Sequence, residues 1–324
     1  MRILIRKFVS LVIVLLAFGS LCSAEDSFHF CVLGDMPYYL PADYERFDNV
    51  IDLVNAESPA FTVHVGDTKS GSTDCSDESY QYTLQQFARF DHPLIYTPGD
   101  NEWTDCNRKA AGGWDPVERL SLIRKLFFAN SKSLGNGRGI NLIAQSIDPR
   151  WKTYVENRMW VKERVVFATL HIIGSKNNNQ ENVPGAVAEF LARDEANEAW
   201  LDTVFDRAEK SKAPAIALFI HGNPFNNLGN SDDEAKLGME RFLEQLRTRT
   251  LRFREPVLLT HGDSHYFRID KPLMHGGTKR DSVENFTRLE VFGASNMHAV
   301  RVDVDPTSPQ VFSASQLIVE ANRK

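Results

Sequence analysis

The sequence predicts an α/β protein: a mostly parallel sheet with helices packed outside it. Two observations lead there. Short, β-branched apolar runs alternate with stretches of helical periodicity, which is the pattern of βαβ units. Most of those runs end in glycine beside an aspartate or a histidine, which gathers polar side chains at one edge of the sheet. The 324 residues, 42% of them hydrophobic, suffice for a sizeable core.

The elements follow in order. FHFCVLG (28–34) reads as a strand, and Phe47, Val50, Ile51 and Val54 then fall on one helical face. AFTVHVG (60–66) and PLIYTPG (93–99) are the second and third strands. From about 104 to 162 the pattern loosens, with GNGRG (135–139) inside it. That stretch reads as an insertion near the site and not as a separate domain. VVFATLHIIG (165–174) is the fourth strand, and Leu201, Val204, Phe205 and Ala208 mark another helix. PAIALFIHG (214–222) is the fifth strand, Met239, Phe242, Leu243 and Leu246 a further helix, and PVLLTHGD (256–263) the sixth strand. From Arg288 on, two or three strands follow without helices, which suggests a second sheet. No repeat, low-complexity tract or linker divides residues 25–324, so one domain is expected.

Residues 1–24 are set apart from that fold. Arg2, Arg6 and Lys7 form a basic start, FVSLVIVLLAFGSL (8–21) an apolar run, and CSA (22–24) a small-residue end before Glu25. That is the pattern of a cleaved signal peptide, and the run is short for a membrane span. The expected mature protein is secreted or periplasmic, with no membrane span. Its net charge moves from −6 to −9 once the three basic residues are gone. An acidic chain without a basic run excludes nucleic acid as a bulk partner. Export also allows disulfides. Of the remaining cysteines, Cys31 lies in an apolar strand as a buried thiol, and Cys75 and Cys106, both in polar loops, are the expected pair.

The strand ends carry the chemistry. Strand one ends in GDMP with Asp35, strand two in GDTKS with Asp67, and strand three in GDNEW with Asp100, Asn101 and Glu102. Strand five ends in HGNP with His221, and strand six in GDSH with Asp263 and His265. Ligands of α/β sheets bind beyond the carboxyl ends of strands, and the flanking glycines permit sharp turns there.

This order of motifs resembles the calcineurin-like metallophosphoesterases, whose pattern is D-x-H, G-D-x-x-D, G-N-H-[DE], a lone His and G-H-x-H. The likeness spans nearly the whole mature chain. It implies a four-layer α/β/β/α sandwich and two divalent metal ions held by Asp35, Asp67, Asp100, His221, Asp263 and His265. Asp67 would bridge them, with Asp35 and His265 on one ion and Asp100, His221 and Asp263 on the other. The implied activity is hydrolysis of a small-molecule, lipid or sugar phosphate ester by in-line attack of a bridging hydroxide. The departures are as specific as the matches. Pro37 replaces the first motif's histidine, Ser70 an acid, Asp100 an asparagine, Asn101 the catalytic histidine, and Asp263 a histidine.

Two consequences are expected. The oxygen-rich donor set favours Mg²⁺, Mn²⁺ or Ca²⁺ over Zn²⁺ or iron. Four carboxylates against two divalent ions make a neutral core, which shifts preference from a monoester dianion toward a diester. Asn101 cannot protonate a leaving group, a loss of roughly 10²–10⁴-fold where general acid catalysis is lost. Glu102 is either a substitute proton donor or a carboxylate supporting the loop. The alternative to an enzyme is a weakly active or inactive pseudoenzyme that binds metal or ligand.

Other candidates have plainer readings. His64 and His171 are expected as core histidines, and His261 is either buried or at the site's edge. Asn177–Asn179 form a turn cluster or touch a phosphoryl group. Tyr38 and Tyr39 adjoin the first motif, but the tyrosine of purple acid phosphatases belongs to a different one. NFT (285–287) is a glycosylation sequon only where the host glycosylates exported proteins. Neither a G-x-S-x-G elbow nor a Walker loop occurs.

Overall fold

The computed structural model describes residues 27–225, 238–276 and 281–323. The expected signal peptide, residues 1–24, lies outside them. Twelve strands appear among the described residues: β1 (Phe28–Leu33), β2 (Thr62–His64), β3 (Leu94–Tyr96), β4 (Ile143–Ala144), β5 (Arg158–Lys162), β6 (Val165–Thr169), β7 (Ile216–Phe219), β8 (Val257–His261), β9 (Arg268–Asp270), β10 (Phe286–Glu290), β11 (Ala299–Val304) and β12 (Phe312–Leu317). They form two sheets, in the orders β12-β11-β1-β2-β3 and β4-β5-β6-β7-β8-β10-β9.

Each sheet mixes parallel and antiparallel pairs, the first antiparallel toward one margin and the second toward both. In the first, Cys31 lies opposite Thr62 and Thr62 opposite Leu94 in parallel register, while β11 and β12 add antiparallel strands. In the second, β6, β7, β8 and β10 run parallel, and β5, β4 and β9 pair antiparallel. The chain's helix-poor tail therefore serves both sheets. β10 completes the second, and β11 and β12 complete the first.

Three apolar layers hold the sandwich together. Strand alternation turns Phe30 and Val32 inward, against Phe167, Ala217, Phe219, Leu258 and Leu289 of the other sheet. Phe30 stacks on Phe61 at 5.1 Å and meets Phe167 and Phe219 edge-on near 6 Å, so aromatic contacts fill the gap between sheets. Cys31 and Leu33 face outward, under Phe47, Val50, Ile51 and Val54 of the helix Asp43–Glu57. On the far side Trp200, Leu201, Val204 and Phe205 of the helix Ala186–Ser211, with Phe242 and Leu246 of Glu240–Phe253, cover the second sheet. The result is the four-layer α/β/β/α order. No helix among the described residues is long and apolar enough to cross a membrane.

Two helices on the first sheet escape the sequence reading. Asp77–Phe87 buries Tyr80, Thr83, Gln86 and Phe87, a face too polar to show as apolar periodicity. Its start is capped by Ser76, which accepts from the Ser79 amide. Pro116–Phe127 lies in the stretch that looked loosest. Asp115 caps it by accepting from the Val117 and Glu118 amides, with Pro116 at its first position. The Asn285 carboxamide of the NFT sequence donates to the carbonyls of Thr250 and Glu255, which ties it to the fold. Cys31 is buried, and burial pushes its thiol up to about 12.

Candidate metal centre

Five strands deliver six side chains to one edge. Asp35 follows β1, Asp67 follows β2 and Asp100 follows β3, so three come from the first sheet. His221 follows β7, and Asp263 and His265 follow β8, so the other three come from the second. Four of the six take a left-handed backbone: Asp35 (φ 56°), Asp67 (φ 55°), Asp263 (φ 74°) and His265 (φ 59°). Such strain costs on the order of 1–3 kcal/mol per residue and persists only where the surroundings impose it. Crowding is equally tight at Gly174, where a Cβ would lie 2.6 Å from Asp100 Oδ1 and 2.7 Å from Asp263 Oδ1.

The donor atoms converge in two overlapping groups. Asp35, Asp67 and His221 each offer an atom within 4.8 Å of the others, and so do Asp100, His221 and Asp263. His221 stands in both groups, with Nε2 2.9 Å from Asp100 Oδ1 and 3.4 Å from Asp67 Oδ1. His265 Nε2 lies 3.4 Å from Asp35 Oδ1. All six sequence candidates thus share one place.

The donor set fits divalent cations on a structural test. Asp35 Oδ2, Asp100 Oδ1, His221 Nε2 and His265 Nε2 are buried without a hydrogen-bond partner. Buried polar atoms are ordinarily paired, so four orphans facing one spot call for a ligand. His221 Nδ1 lies 2.9 Å from the Val65 carbonyl, so this nitrogen carries the proton and donates. Nε2 is then the nitrogen left to face the carboxylates, and a cation bound among them would take its lone pair, the arrangement of a metal-ligating histidine. Among the described residues no lysine or arginine bonds to any of the four aspartates.

The electrostatics express the same deficit of positive charge. Burial alone would lower the His221 pKa, yet Asp67, Asp100 and Asp35 raise it well above its ordinary value. Burial pushes Asp67 well up, and neighbouring carboxylates add to that against the pull of His221. Asp263 rises to about 6, from burial and then from Asp100. Protons here do the work that a cation would do.

Further groups surround the six. Tyr38 OH donates to Asp67 Oδ2 at 2.5 Å, and its ring meets His265 edge-on at 5.2 Å. Burial and then Asp67 raise the Tyr38 pKa well above the ordinary phenol value, so it stays a neutral donor. The carboxamide of Asn101 donates to Asp67 Oδ2 at 2.5 Å and to Tyr38 at 3.0 Å. Glu102 is wholly buried, where Oε1 accepts from the Thr68 amide (2.9 Å) and the Tyr96 hydroxyl (3.0 Å). Those bonds fix the loop beneath the site.

Sequence reasoning missed Ser175. Gly174 opens a run of four left-handed residues, Ser175, Lys176, Asn177 and Asn178. The turn brings Ser175 Oγ to 2.7 Å from Asp100 Oδ2 and 2.8 Å from Asp105 Oδ1. One hydroxyl has one proton, so it donates to one of the two carboxylates at a time. Burial, and then Asp100, push Asp105 up to about 6. Asn177 and Asn178 are buried and bonded inward, Asn177 to Gly238 and Arg193, Asn178 to Thr104 and Glu189. They build the turn and do not face the site. His64 and His261 are buried as well, each pushed down to about 3 by burial. The Cys75–Cys106 disulfide joins the loop after Asp67 to the loop after Asp100.

No family model and no curated protein matches the chain. Among solved structures it is similar to GAP50, the anchor in the inner membrane complex of Plasmodium, at 11% identity over 91% of this chain and 89% of that one, TM-score 0.46. It is similar to the purple acid phosphatase PPD1 of yellow lupin (Lupinus luteus) seeds at 12% identity, over 92% of this chain and 55% of that one, TM-score 0.49. It is also similar to TT1561 of Thermus thermophilus at 9% identity, over 91% of this chain and 100% of that one, TM-score 0.46. Likeness at these identities concerns the fold alone. The fold is a four-layer sandwich of two mixed sheets with helices outside both, and a carboxylate–histidine set is gathered from the strand ends of each sheet.

Proposed function

We propose that the chain is an exported, metal-dependent phosphoesterase acting on a small phosphomonoester or phosphodiester. One observation carries the reading: four carboxylates, three of them buried, meet two histidines, and among the described residues no lysine or arginine bonds to those carboxylates. Asp35, Asp67, Asp100, Asp263, His221 and His265 would hold two divalent cations. Their oxygen-rich set suits Mg²⁺, Mn²⁺ or Ca²⁺ better than Zn²⁺. Cations bound there supply Lewis acidity to a phosphoryl group and lower the pKa of an attacking water. The chain's own part is placement. Val65 fixes the tautomer of His221, Ser175 orients Asp100, and Tyr38 with Asn101 orients Asp67. Export rests on the N-terminal pattern, and the Cys75–Cys106 bridge suits an oxidising compartment.

A second reading has its own observation. Asn101 stands where the resembling family has its proton-donating histidine, and its carboxamide is engaged with Asp67 and Tyr38. A centre that binds metal and ligand without useful turnover accounts for that. The two readings separate in one experiment on the mature chain. Manganese binding is measured by calorimetry. Nitrophenol release is then followed from 4-nitrophenyl phosphate and bis(4-nitrophenyl) phosphate, with and without chelator. Chelator-sensitive release, greater for the diester, is the expected result. Manganese binding without release from either ester rejects the enzyme in favour of the binding module.

A further inference from the structure

We propose that Arg108 is the anion-gripping residue of this centre, its free guanidinium arm contacting a phosphoryl oxygen of the ester or of released phosphate. The inference rests on the phosphoesterase reading for the class of ligand, though not on turnover.

Arg108 follows the short turn Thr104–Asn107 and is about half exposed. Its Nη2 lies 2.7 Å from Asp105 Oδ2. Among the described residues, Nη1 and Nε bond to no protein group. The position of Nη1 is set by Gly71: a Cβ there would sit 2.6 Å from Arg108 Nη1 and 2.7 Å from Asn101 Oδ1. Both atoms share one small gap that only glycine leaves open. Asn101 in turn touches Asp67 Oδ2. The free arm therefore stands one side chain away from the converging carboxylates, open to solvent.

The other nearby cations are already engaged. Lys69 is buried, its Nζ turned to the carbonyls of Ser70 (3.2 Å) and Thr73 (2.9 Å). Arg46 closes on Asp43 and on the Ser295 carbonyl, each at 2.8 Å. Of these three, Arg108 is the one whose side chain is about half exposed while a whole guanidinium arm stays without a partner among the described residues.

It is also held in place. Asp105 grips one arm, Ser175 links Asp105 to Asp100, and the disulfide at Cys106 fixes the same turn. A guanidinium tethered in this way loses little freedom on binding an anion. The charge count gives it a task. Two divalent cations would only neutralise four carboxylates, so the core itself offers a phosphoryl group no net attraction. Arg108 restores it through a charge-assisted hydrogen bond. Being always protonated, it steadies an oxygen but cannot deliver a proton to a leaving group.

The test is calorimetric and needs no turnover. Manganese affinity is measured first, then inorganic phosphate is titrated into the manganese-loaded protein. R108A is expected to weaken phosphate binding about tenfold while leaving manganese affinity unchanged. R108K recovers part of the loss, because lysine keeps the charge without the fork, and it carries the comparison if R108A folds poorly. Unchanged phosphate affinity in both variants overturns the proposal. So does a parallel fall in manganese affinity, which would make Arg108 a mere tether for Asp105. Wild-type protein that binds phosphate through Arg108 but releases no nitrophenol keeps this inference and rejects the phosphoesterase reading. Loaded wild-type protein that binds no phosphate overturns both.

Discussion

His171 and His221 stand at matching places on neighbouring strands. Each lies two residues past its strand, β6 or β7, which run parallel with Thr169 opposite Phe219. Both are fully buried, and each has a ring nitrogen 2.9 Å from a carboxylate oxygen, Glu156 for one and Asp100 for the other. Their basicities nevertheless move in opposite directions. Burial lowers the His171 pKa and Glu156 does not reverse it, whereas the aspartates around His221 overcome burial and raise it. The difference lies in what the carboxylate already holds. Arg124 forks onto Glu156 with Nε and Nη2, so that island is neutral before the histidine enters. Among the described residues Asp67 and Asp100 have no such partner. One region is a finished ion pair, and the other is a set of anions waiting for cations.

Three changes test that contrast. The largest effect is expected from Glu156→Gln, which leaves Arg124 buried without its anion. Stability should fall by about 3 kcal/mol in urea unfolding, with manganese affinity unaltered. A matching loss of manganese binding would show that the two regions are one. Next is His221→Ala, which removes the donor common to both groups of ligands. Calorimetry should find manganese affinity down about a hundredfold, or ~2.7 kcal/mol. Retained affinity would mean that the cations are held elsewhere. The smallest is Ser175→Ala, which frees one oxygen of Asp100. Manganese affinity should drop about tenfold, because that hydroxyl only orients the ligand. A loss as large as that of His221→Ala would make Ser175 a donor in its own right.

The strand ends were the legible part of this molecule. Asp35, Asp67, Asp100, His221, Asp263 and His265 are legible as candidates because a strand runs into a glycine with a donor close beside it, and the structure brings all six to one edge. His64 and His171 were readable as core histidines, since apolar neighbours flank both. The rest failed for identifiable reasons. The helix Asp77–Phe87 hides its buried face in Tyr80, Thr83 and Gln86, which do not register as apolar. Ser175 depends on four successive left-handed residues, a conformation that no short motif announces. Arg108 reaches its place through a disulfide, a 3-10 turn and the bare backbone of Gly71, none of which links it to Asn101 in sequence. Glu102 was left between two roles, and its bonds to Thr68 and Tyr96 show what the chain does with one of its oxygens.

The six donors come three from each sheet, and that division has a mechanical consequence. Between the sheets the layers adhere through Phe30, Phe61, Phe167 and Phe219, a contact that is dry and permanent. At the carboxyl edge they meet through carboxylates that repel one another, held by the Asp263 amide donating to Asp35, His221 Nδ1 to the Val65 carbonyl and the Ser175 hydroxyl to Asp100. A bound cation would therefore act as a rivet through both plates, drawing ligands from each and relieving the repulsion that these few hydrogen bonds now oppose.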